Sequence, residues 1–139
     1  MSEEKIVTVL VVDDEPDIVT YLTTILEDNG YRTRSARDAD SALAEMRARP
    51  PDLICIDIMM PRRSGLSLYH QMKTDPDFKD IPVIVISAFS RLEDFTGQKF
   101  RRIFPDESVP EPSFFIEKPV NVEHFLETIE LILGGRSVR

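Results

Sequence analysis

The sequence predicts an α/β protein built on a parallel sheet. Five short apolar runs recur along the chain, and stretches with helical spacing lie between them. Three of the runs are unbroken Val, Ile and Leu segments, which is typical of strands covered on both faces, as in parallel sheets. Strands that alternate with helices in this way define the α/β class. The predicted strands are residues 7–12, 31–35, 53–56, 83–86 and 114–116.

Four of the intervening stretches have the spacing of amphipathic helices. The first has Pro16 near its start and ends at Gly30, which matches the preference for proline inside the first turn and glycine beyond the last. The second is stopped by Pro50, and the last has Asn121 as its expected N-cap and Gly134 as its stop. The apolar stripes are Ile18, Leu22, Ile25 and Leu26; Ala39, Ala42, Leu43 and Met46; Leu66, Tyr69 and Met72; and Val122, Phe125, Leu126, Ile129, Ile132 and Leu133.

The segment between the fourth and fifth strands fits this pattern less well. Residues 91–104 have loosely helical spacing, with Leu92, Phe95, Phe100 and Ile103 as the apolar positions. Residues 105–112 contain three prolines, which exclude a regular helix. We therefore expect a long loop there, inserted between the last helix of one face and the final strand.

Length and composition indicate one globular domain. The chain has 139 residues, 42% of them apolar, so residues 1–139 are expected to form a single domain with a core at about 6–133. Seventeen Lys and Arg against 25 Asp and Glu give a net charge of -8, which argues against direct binding of DNA or RNA. The single cysteine, Cys55, lies in an apolar run and is expected to be buried and unreactive.

The sequence predicts no contact with a membrane. No apolar stretch approaches the roughly 20 residues that a membrane-spanning helix requires. The first five residues, Met-Ser-Glu-Glu-Lys, lack the basic-then-apolar order of a signal peptide. We therefore expect a cytoplasmic protein.

Polar side chains stand where the apolar runs end. Asp13 and Asp14 follow the first strand, Asp57 ends the third, Ser87 ends the fourth, and Lys118 closely follows the fifth. The carboxyl ends of parallel strands lie along one edge of a sheet, and ligands bind in the crevice there. We therefore expect these residues to converge on one pocket.

The residue types in this pocket indicate phosphoryl transfer. Clustered carboxylates repel one another unless a cation lies among them, and hard oxygen ligands suit Mg²⁺. A hydroxyl and an ammonium group supply hydrogen-bond donors for an anion. A metal with such donors forms a site where catalysis is mostly positioning and charge neutralisation, and an aspartate is a known type of covalent acceptor.

These motifs resemble those of the response regulator receiver family, the phosphoacceptor domains of two-component signalling. They are Val-Val-Asp-Asp-Glu at 11–15, Ile-Asp-Ile-Met-Met-Pro at 56–61, Ser-Gly at 64–65, Ser-Ala at 87–88 and Lys-Pro at 118–119. Each motif is short, but their order and their placement at strand ends are not expected by chance. The resemblance covers residues 6–133 and implies a flavodoxin-like (βα)5 three-layer sandwich with strand order 2-1-3-4-5.

The resemblance implies a metal site and a phosphoacceptor. Asp57 is expected to accept the phosphoryl group and to bind Mg²⁺, with Mn²⁺ as an alternative ion. Asp14 is expected to bind the metal directly and Asp13 largely through water. The backbone carbonyl of Met59 is expected to complete the protein ligands. Asp13 and Asp14 have a plainer alternative role as caps of the helix that begins near Pro16.

The resemblance also implies an anion-binding and switching side. Lys118 is expected to pair with one phosphoryl oxygen and Ser87 to hydrogen-bond another. The Lys118–Pro119 peptide bond is expected to be cis, which would aim the lysine inward. Phe115 is the expected switch residue that turns inward when Ser87 moves, although Phe114 beside it is an alternative.

The sequence departs from the family pattern in two places. The path from Ser87 to Lys118 is longer than usual, and a common Gly-Ala pair before the last strand is missing, so the usual mode of dimerisation is in doubt. Met59 and Phe89, two residues beyond Asp57 and Ser87, cannot orient a hydrolytic water. This predicts slow self-dephosphorylation.

The implied function is a phosphorylation-controlled switch. A histidine kinase or histidine phosphotransfer protein would phosphorylate Asp57 and so alter a surface that binds an unidentified output partner; the chain would catalyse only its own phosphorylation and dephosphorylation. Two alternatives stay open: a phosphorylation-independent pseudo-receiver, and a receiver fragment of a hybrid kinase or multidomain regulator. A haloacid-dehalogenase-like phosphatase would need a second Asp where Met59 stands, and a flavin carrier would need a phosphate-binding loop at residues 13–15. His70 and His124 are expected to face solvent.

Overall fold

The fold is a five-stranded parallel sheet with helices on both faces, as a computed structural model of residues 6–88 and 97–134 describes it. The strand order is β2-β1-β3-β4-β5, so the predicted fold class and strand order are confirmed. The strands are β1 (Thr8–Val12), β2 (Arg32–Ala36), β3 (Leu53–Asp57), β4 (Val83–Ala88) and β5 (Phe114–Lys118). The helices are α1 (Pro16–Asp28), α2 (Ala39–Ala48), α3 (Ser64–Thr74), α4 (Gly97–Ile103) and α5 (Val122–Leu133), with a short 3₁₀ turn at Pro61–Arg63.

The strand ends differ from their predicted positions by one or two residues. β1 and β2 begin one residue later than predicted, and β3, β4 and β5 continue past the apolar runs. The reason is that a strand continues as long as the backbone of its neighbour offers hydrogen-bond partners, whether the side chains are apolar or polar. As a result Asp57, Ser87 and Lys118 belong to the strands, and the sheet fixes the backbone of each.

Two apolar cores lie on opposite faces of the sheet. Alternate residues of β1 supply them, since side chains along a strand point to opposite faces: Leu10 and Val12 pack under α2, α3 and α4, whereas Val9 and Val11 pack under α1 and α5. Cys55 is buried in the second core, and burial raises its pKa to about 12, so the prediction of a buried thiol is confirmed. The helical layers on both faces leave the strand ends as the accessible part of the sheet.

The helix ends follow local capping rules. The side chain of Asn121 accepts the backbone N–H of His124 at 2.9 Å, and Gly134 has the left-handed φ of 60° that ends α5, so both predicted boundaries are confirmed. Asp38 and Ser41 form a reciprocal capping box at the start of α2. Within the described residues, no helix is long and apolar enough to cross a membrane.

The loop at residues 104–113 contains no helix or strand but is firmly packed. Val109 is completely buried in the core under α3 and α4, and the hydroxyl of Tyr69 donates a hydrogen bond to the Pro110 carbonyl at 2.6 Å. The ring of Phe104 stacks on that of His70, with centroids 6.0 Å apart. His70 is therefore half-buried, and the prediction that it faces solvent is wrong; His124 is exposed as predicted.

The fourth helix is short in the part of the chain that is described. It runs for seven residues, and Phe100 is its fully buried residue. Leu92 and Phe95, which belong to the predicted helical pattern of residues 91–104, lie outside the described residues, as does Phe89.

Candidate functional site

The carboxyl ends of the strands bring the predicted site residues together. β3 lies between β1 and β4, and β5 pairs with the far edge of β4. At the ends of these ladders Asp57 pairs with Ile86 and Ala88 pairs with Lys118, while Asp13 directly follows β1. Residues up to 105 positions apart in sequence are thereby placed within contact distance.

Three carboxylates form the floor of this site. One oxygen from each of Asp13, Asp14 and Asp57 lies within 4.8 Å of the others. Asp13 and Asp57 are buried, with 2% and 4% of their surface exposed, and Asp14 is more exposed. The N–H of Glu15 donates to Asp13 Oδ1 at 2.9 Å, and the N–H of Met59 donates to Asp57 Oδ1 at 3.0 Å. In each buried acid, one carboxylate oxygen therefore accepts a backbone N–H, and the other is within reach of Lys118.

The charge of Asp13 is costly in this environment. Its pKa is raised from 3.8 to about 6, mainly because burial removes water from the carboxylate. The hydrogen bond from the Glu15 N–H lowers the pKa, the negative charge of Asp57 raises it, and the positive charge of Lys118 lowers it. The site therefore holds more negative charge than its own cation neutralises.

Lys118 is the cation of the site and contacts three acids. Its Nζ lies 3.2 Å from Asp57 Oδ2, 3.3 Å from Asp13 Oδ2 and 3.3 Å from Glu15 Oε1. Burial acts to lower the pKa of Lys118, but the charges of Asp57 and Asp13 outweigh it, and the pKa is raised. The ammonium group is therefore charged, and these three carboxylates share it.

The backbone after Lys118 is held by a contact from the first helix. The Lys118–Pro119 peptide bond is cis. The hydroxyl of Tyr21 on α1 donates a hydrogen bond to the Val120 carbonyl at 2.9 Å. This bond joins the turn that carries the lysine to the helix that follows the acidic pair.

The hydroxyl of Ser87 lacks a partner within the described part of the chain. The residue is fully buried, and its Oγ makes no hydrogen bond to any of the described residues. A buried hydroxyl without a partner costs free energy, so such groups usually serve a ligand or a change of state. On the neighbouring strand, Phe115 is half-buried against the core under α3 and α4, whereas Phe114 packs against the opposite core.

The start of α3 is packed directly against the end of β3, at Asp57 and Ile58. A Cβ atom at Gly65 would lie 2.4 Å from the Asp57 carbonyl oxygen and 2.8 Å from the Ile58 Cα, so only glycine fits there. The Ser64 Oγ accepts the N–H of Ala39 at 2.7 Å and ties the start of α2 to the same place. The Ser-Gly motif therefore has a structural reason that the sequence alone did not reveal.

The donor set fits a hard divalent cation. Three carboxylate oxygens within 4.8 Å of one another, two of them on buried residues, repel each other in the absence of a counter-ion. Mg²⁺ prefers such oxygen ligands and binds through one or a few carboxylates together with waters and phosphate oxygens. Asp13, Asp14 and Asp57 are the residues that would hold it. The Met59 carbonyl stays a predicted ligand.

Sequence reasoning missed two residues of the site. Glu15 belongs to the Val-Val-Asp-Asp-Glu motif, and an acid directly after two others is the signal in the sequence for a shared cation. Tyr21 lies on the predicted helix α1, and nothing in the helical pattern indicates that its hydroxyl reaches a residue 99 positions away.

The fold and the site together define a class of protein. It is an open α/β protein with an acidic cleft, suited to binding a cation, beyond the carboxyl ends of its strands. Residues 9–100 match the family described as the response regulator receiver domain. The chain belongs to this family, which makes it a receiver domain of two-component signalling, a switch rather than a classical enzyme. Receiver domains typically bind Mg²⁺ and interact with histidine kinases or phosphotransfer proteins.

Individual relatives support the same assignment. The chain is 39% identical over 133 residues to the nitrogen assimilation regulatory protein NtrX of Azorhizobium caulinodans, covering 94% of this chain and 27% of that protein. It is 32% identical over 127 residues to the polar-differentiation response regulator DivK of Brucella anthropi, covering 91% of this chain and 96% of that protein. A crystal structure of NtrX from Brucella abortus superposes with a TM-score of 0.78 at 34% identity, covering 95% of this chain and 28% of that one. The chain thus spans about a quarter of NtrX and nearly all of DivK.

Proposed function

We propose that Asp57 accepts a phosphoryl group from a histidine kinase or a histidine phosphotransfer protein, and that this switches a protein-binding surface. Asp13, Asp14, Asp57 and the Met59 carbonyl would hold Mg²⁺ for the reaction. The observation that carries the proposal is the position of Lys118, whose Nζ lies 3.2 Å from Asp57 Oδ2 at the rim of the three-carboxylate cluster. The proposed acceptor Asp57, the Lys118 ammonium that would bind the phosphoryl oxygens, and the carboxylates that would bind the metal thus lie in one cleft.

The chain's own groups account for most of the transfer step. A carboxylate oxygen of Asp57 forms a bond to phosphorus while the bond from phosphorus to the donor's nitrogen or oxygen breaks, and the donor atom keeps the electron pair. The Met59 N–H holds Asp57 Oδ1 in place, and Oδ2 faces the Lys118 ammonium. Lys118 would then donate a hydrogen bond to a phosphoryl oxygen. When bound, Mg²⁺ would supply further positive charge to those oxygens.

Ser87 and Phe115 are the proposed switch. The Ser87 hydroxyl, buried and without a partner in the described residues, would donate to a second phosphoryl oxygen and draw its strand end inward. Phe115 is half-buried on the adjacent strand and would follow into the space released. Such coupled movements shift the balance between two existing states rather than build a new one.

Incubation with acetyl phosphate and Mg²⁺, followed by intact mass measurement, tests the acceptor. We expect the wild-type protein to gain one phosphoryl group and Asp57→Asn to gain none, because the amide cannot act as the nucleophile. Asp17→Asn removes an equal charge from an exposed position on α1 and should behave like the wild type. A wild-type protein that stays unmodified, or an Asp57→Asn variant that is still phosphorylated, would contradict the proposal.

A further inference from the structure

We propose that Glu15 is a positioning residue that restrains phosphorylation by holding the Lys118 ammonium. This inference rests on the proposed function of Asp57 as phosphoacceptor. The Glu15 Oε1 lies 3.3 Å from Lys118 Nζ, as close as Asp13 Oδ2 and nearly as close as Asp57 Oδ2. The resting ammonium is therefore shared among three carboxylates.

Glu15 differs from the other two partners of Lys118. Asp13 and Asp57 are buried and belong to the cluster that would hold the metal, whereas the side chain of Glu15 is 62% exposed and lies outside that cluster. Once a cation and a phosphoryl group occupy the cleft, the charges of Asp13 and Asp57 are engaged by them. Glu15 is then the acid that still competes with the phosphoryl oxygens for the ammonium.

The backbone keeps Glu15 in this position. Its N–H donates to Asp13 Oδ1 at 2.9 Å, and its carbonyl accepts the N–H groups of Ile18 and Val19 at the start of α1. From this fixed backbone position, the side chain of Glu15 contacts Lys118, which lies 103 residues later in the sequence. Exchange of the carboxylate for an amide therefore removes the charge and leaves the anchored backbone unchanged.

Loss of this carboxylate should speed phosphorylation. Glu15→Gln frees the ammonium for the incoming phosphoryl oxygens, and an exposed ion pair of this kind corresponds to a rate increase of about two- to fivefold. The rate of mass gain with acetyl phosphate and Mg²⁺ is the measurement. Asp17→Asn is the matched control, since it removes the same charge two residues further along, in the first turn of α1, without removing a partner of Lys118, and it should leave the rate at the wild-type value.

A double-mutant cycle separates competition for Lys118 from general repulsion of the donor. In a Lys118→Ala background, Glu15→Gln should no longer change the rate, because the ammonium that it restrains is absent. Acceleration that persists there, or that Asp17→Asn reproduces, would overturn the inference in favour of a general charge effect. A Glu15→Gln rate at or below that of the wild type would also overturn it. If the wild type itself gains no phosphoryl group, the proposed function fails and the inference falls with it.

Discussion

Two buried acids, Asp13 and Asp57, share one ammonium group at the end of the sheet. An ion pair in which two carboxylates face one cation leaves negative charge uncompensated, and burial makes that charge expensive. The raised pKa of Asp13 is the result. The uncompensated negative charge lowers the stability of the folded state and at the same time favours the binding of a cation.

The stability of the protein without divalent cations should therefore depend on Asp13 and on pH. Its pKa is about 6 in the folded chain and 3.8 as the ordinary value, so the folded state binds the proton more tightly. The free energy of unfolding should fall as pH rises from about 4 to 6 and then level off. Asp13→Asn should be more stable than the wild type by about 3 kcal/mol at pH 7.5, and the gain should vanish below pH 4.

Urea unfolding followed by circular dichroism measures this difference, since the chain has no Trp. Asp17→Asn, at an exposed position on α1, retains Asp13, so it serves as the control and should show the same pH dependence as the wild type. An Asp13→Asn protein that is less stable than the wild type at pH 7.5 would show that the Lys118 contact outweighs the cost of burial.

Met59 governs a second property at the scale of a single residue. Its side chain is 47% exposed two residues beyond Asp57, and it has no group that could orient an attacking water. We therefore expect the phosphorylated protein to lose its phosphoryl group slowly, and Met59→Asn to lose it faster. The time course of intact mass after removal of acetyl phosphate checks this. Loss from the wild type within seconds would be the contrary result.

At the scale of elements, the contact between α3 and β3 sets the position of Asp57, the proposed phosphoacceptor. An alanine in a helix is normally more stable than glycine by about 0.5–1 kcal/mol. At Gly65 the added Cβ would lie 2.4 Å from the Asp57 carbonyl oxygen, so the backbone must move. We expect Gly65→Ala to destabilise the fold by about 1–3 kcal/mol and to weaken Mg²⁺ binding by displacing Asp57.

Gly134→Ala provides the comparison for this prediction. Gly134 has a φ of +60° and nothing within 4 Å of an added Cβ, so its substitution strains the end of α5 without a clash. It should cost stability and leave Mg²⁺ binding intact. A Gly65→Ala protein as stable as the wild type would mean that the helix moves away at little cost.

A hydrogen bond from α3 helps to hold the proline-rich loop, in addition to those that Arg101 of α4 donates to the Phe104 and Asp106 carbonyls. Tyr69 is buried on α3, and its hydroxyl reaches the Pro110 carbonyl at 2.6 Å. Tyr69→Phe should lower the free energy of unfolding by about 1 kcal/mol and increase proteolytic cleavage within residues 104–113. Tyr21→Phe removes a similar hydrogen bond at the other end of the sheet and should leave cleavage of this loop unchanged. Equal cleavage of the two variants would argue against a specific anchor.

At the scale of the whole molecule, the excess of negative charge should make the stability of the fold depend on bound divalent cations. The chain has a net charge of -8, and three of its acids form one cluster. A ligand that binds only the folded state stabilises it by about 2.7 kcal/mol at a concentration of 100 times Kd. We therefore expect the Tm to rise with Mg²⁺ concentration and Asp57→Asn to reduce this rise. NaCl at the same ionic strength is the control, and an equal shift with NaCl would show that screening, rather than binding, is responsible.

Most of the fold could be predicted from local patterns. The apolar runs located all five strands, and Asn121 and Gly134 marked the ends of α5 correctly. The strand ends were missed because backbone pairing continues through polar residues such as Ser87 and Lys118. The partial burial of His70 could not be predicted because its partner ring belongs to a loop whose path no periodicity describes.

The sequence by itself determined the α/β class and the chemistry at the strand ends, because the periods of strands and helices are local properties and parallel strands end at one edge. Tertiary structure alone decided that Glu15 shares Lys118 with Asp13 and Asp57, and that Gly65 packs against the backbone of Asp57. These contacts join residues far apart in the chain, and the packing of helices onto the sheet sets their distances. Residue types therefore predict which groups meet, and only the packed fold decides which atoms touch.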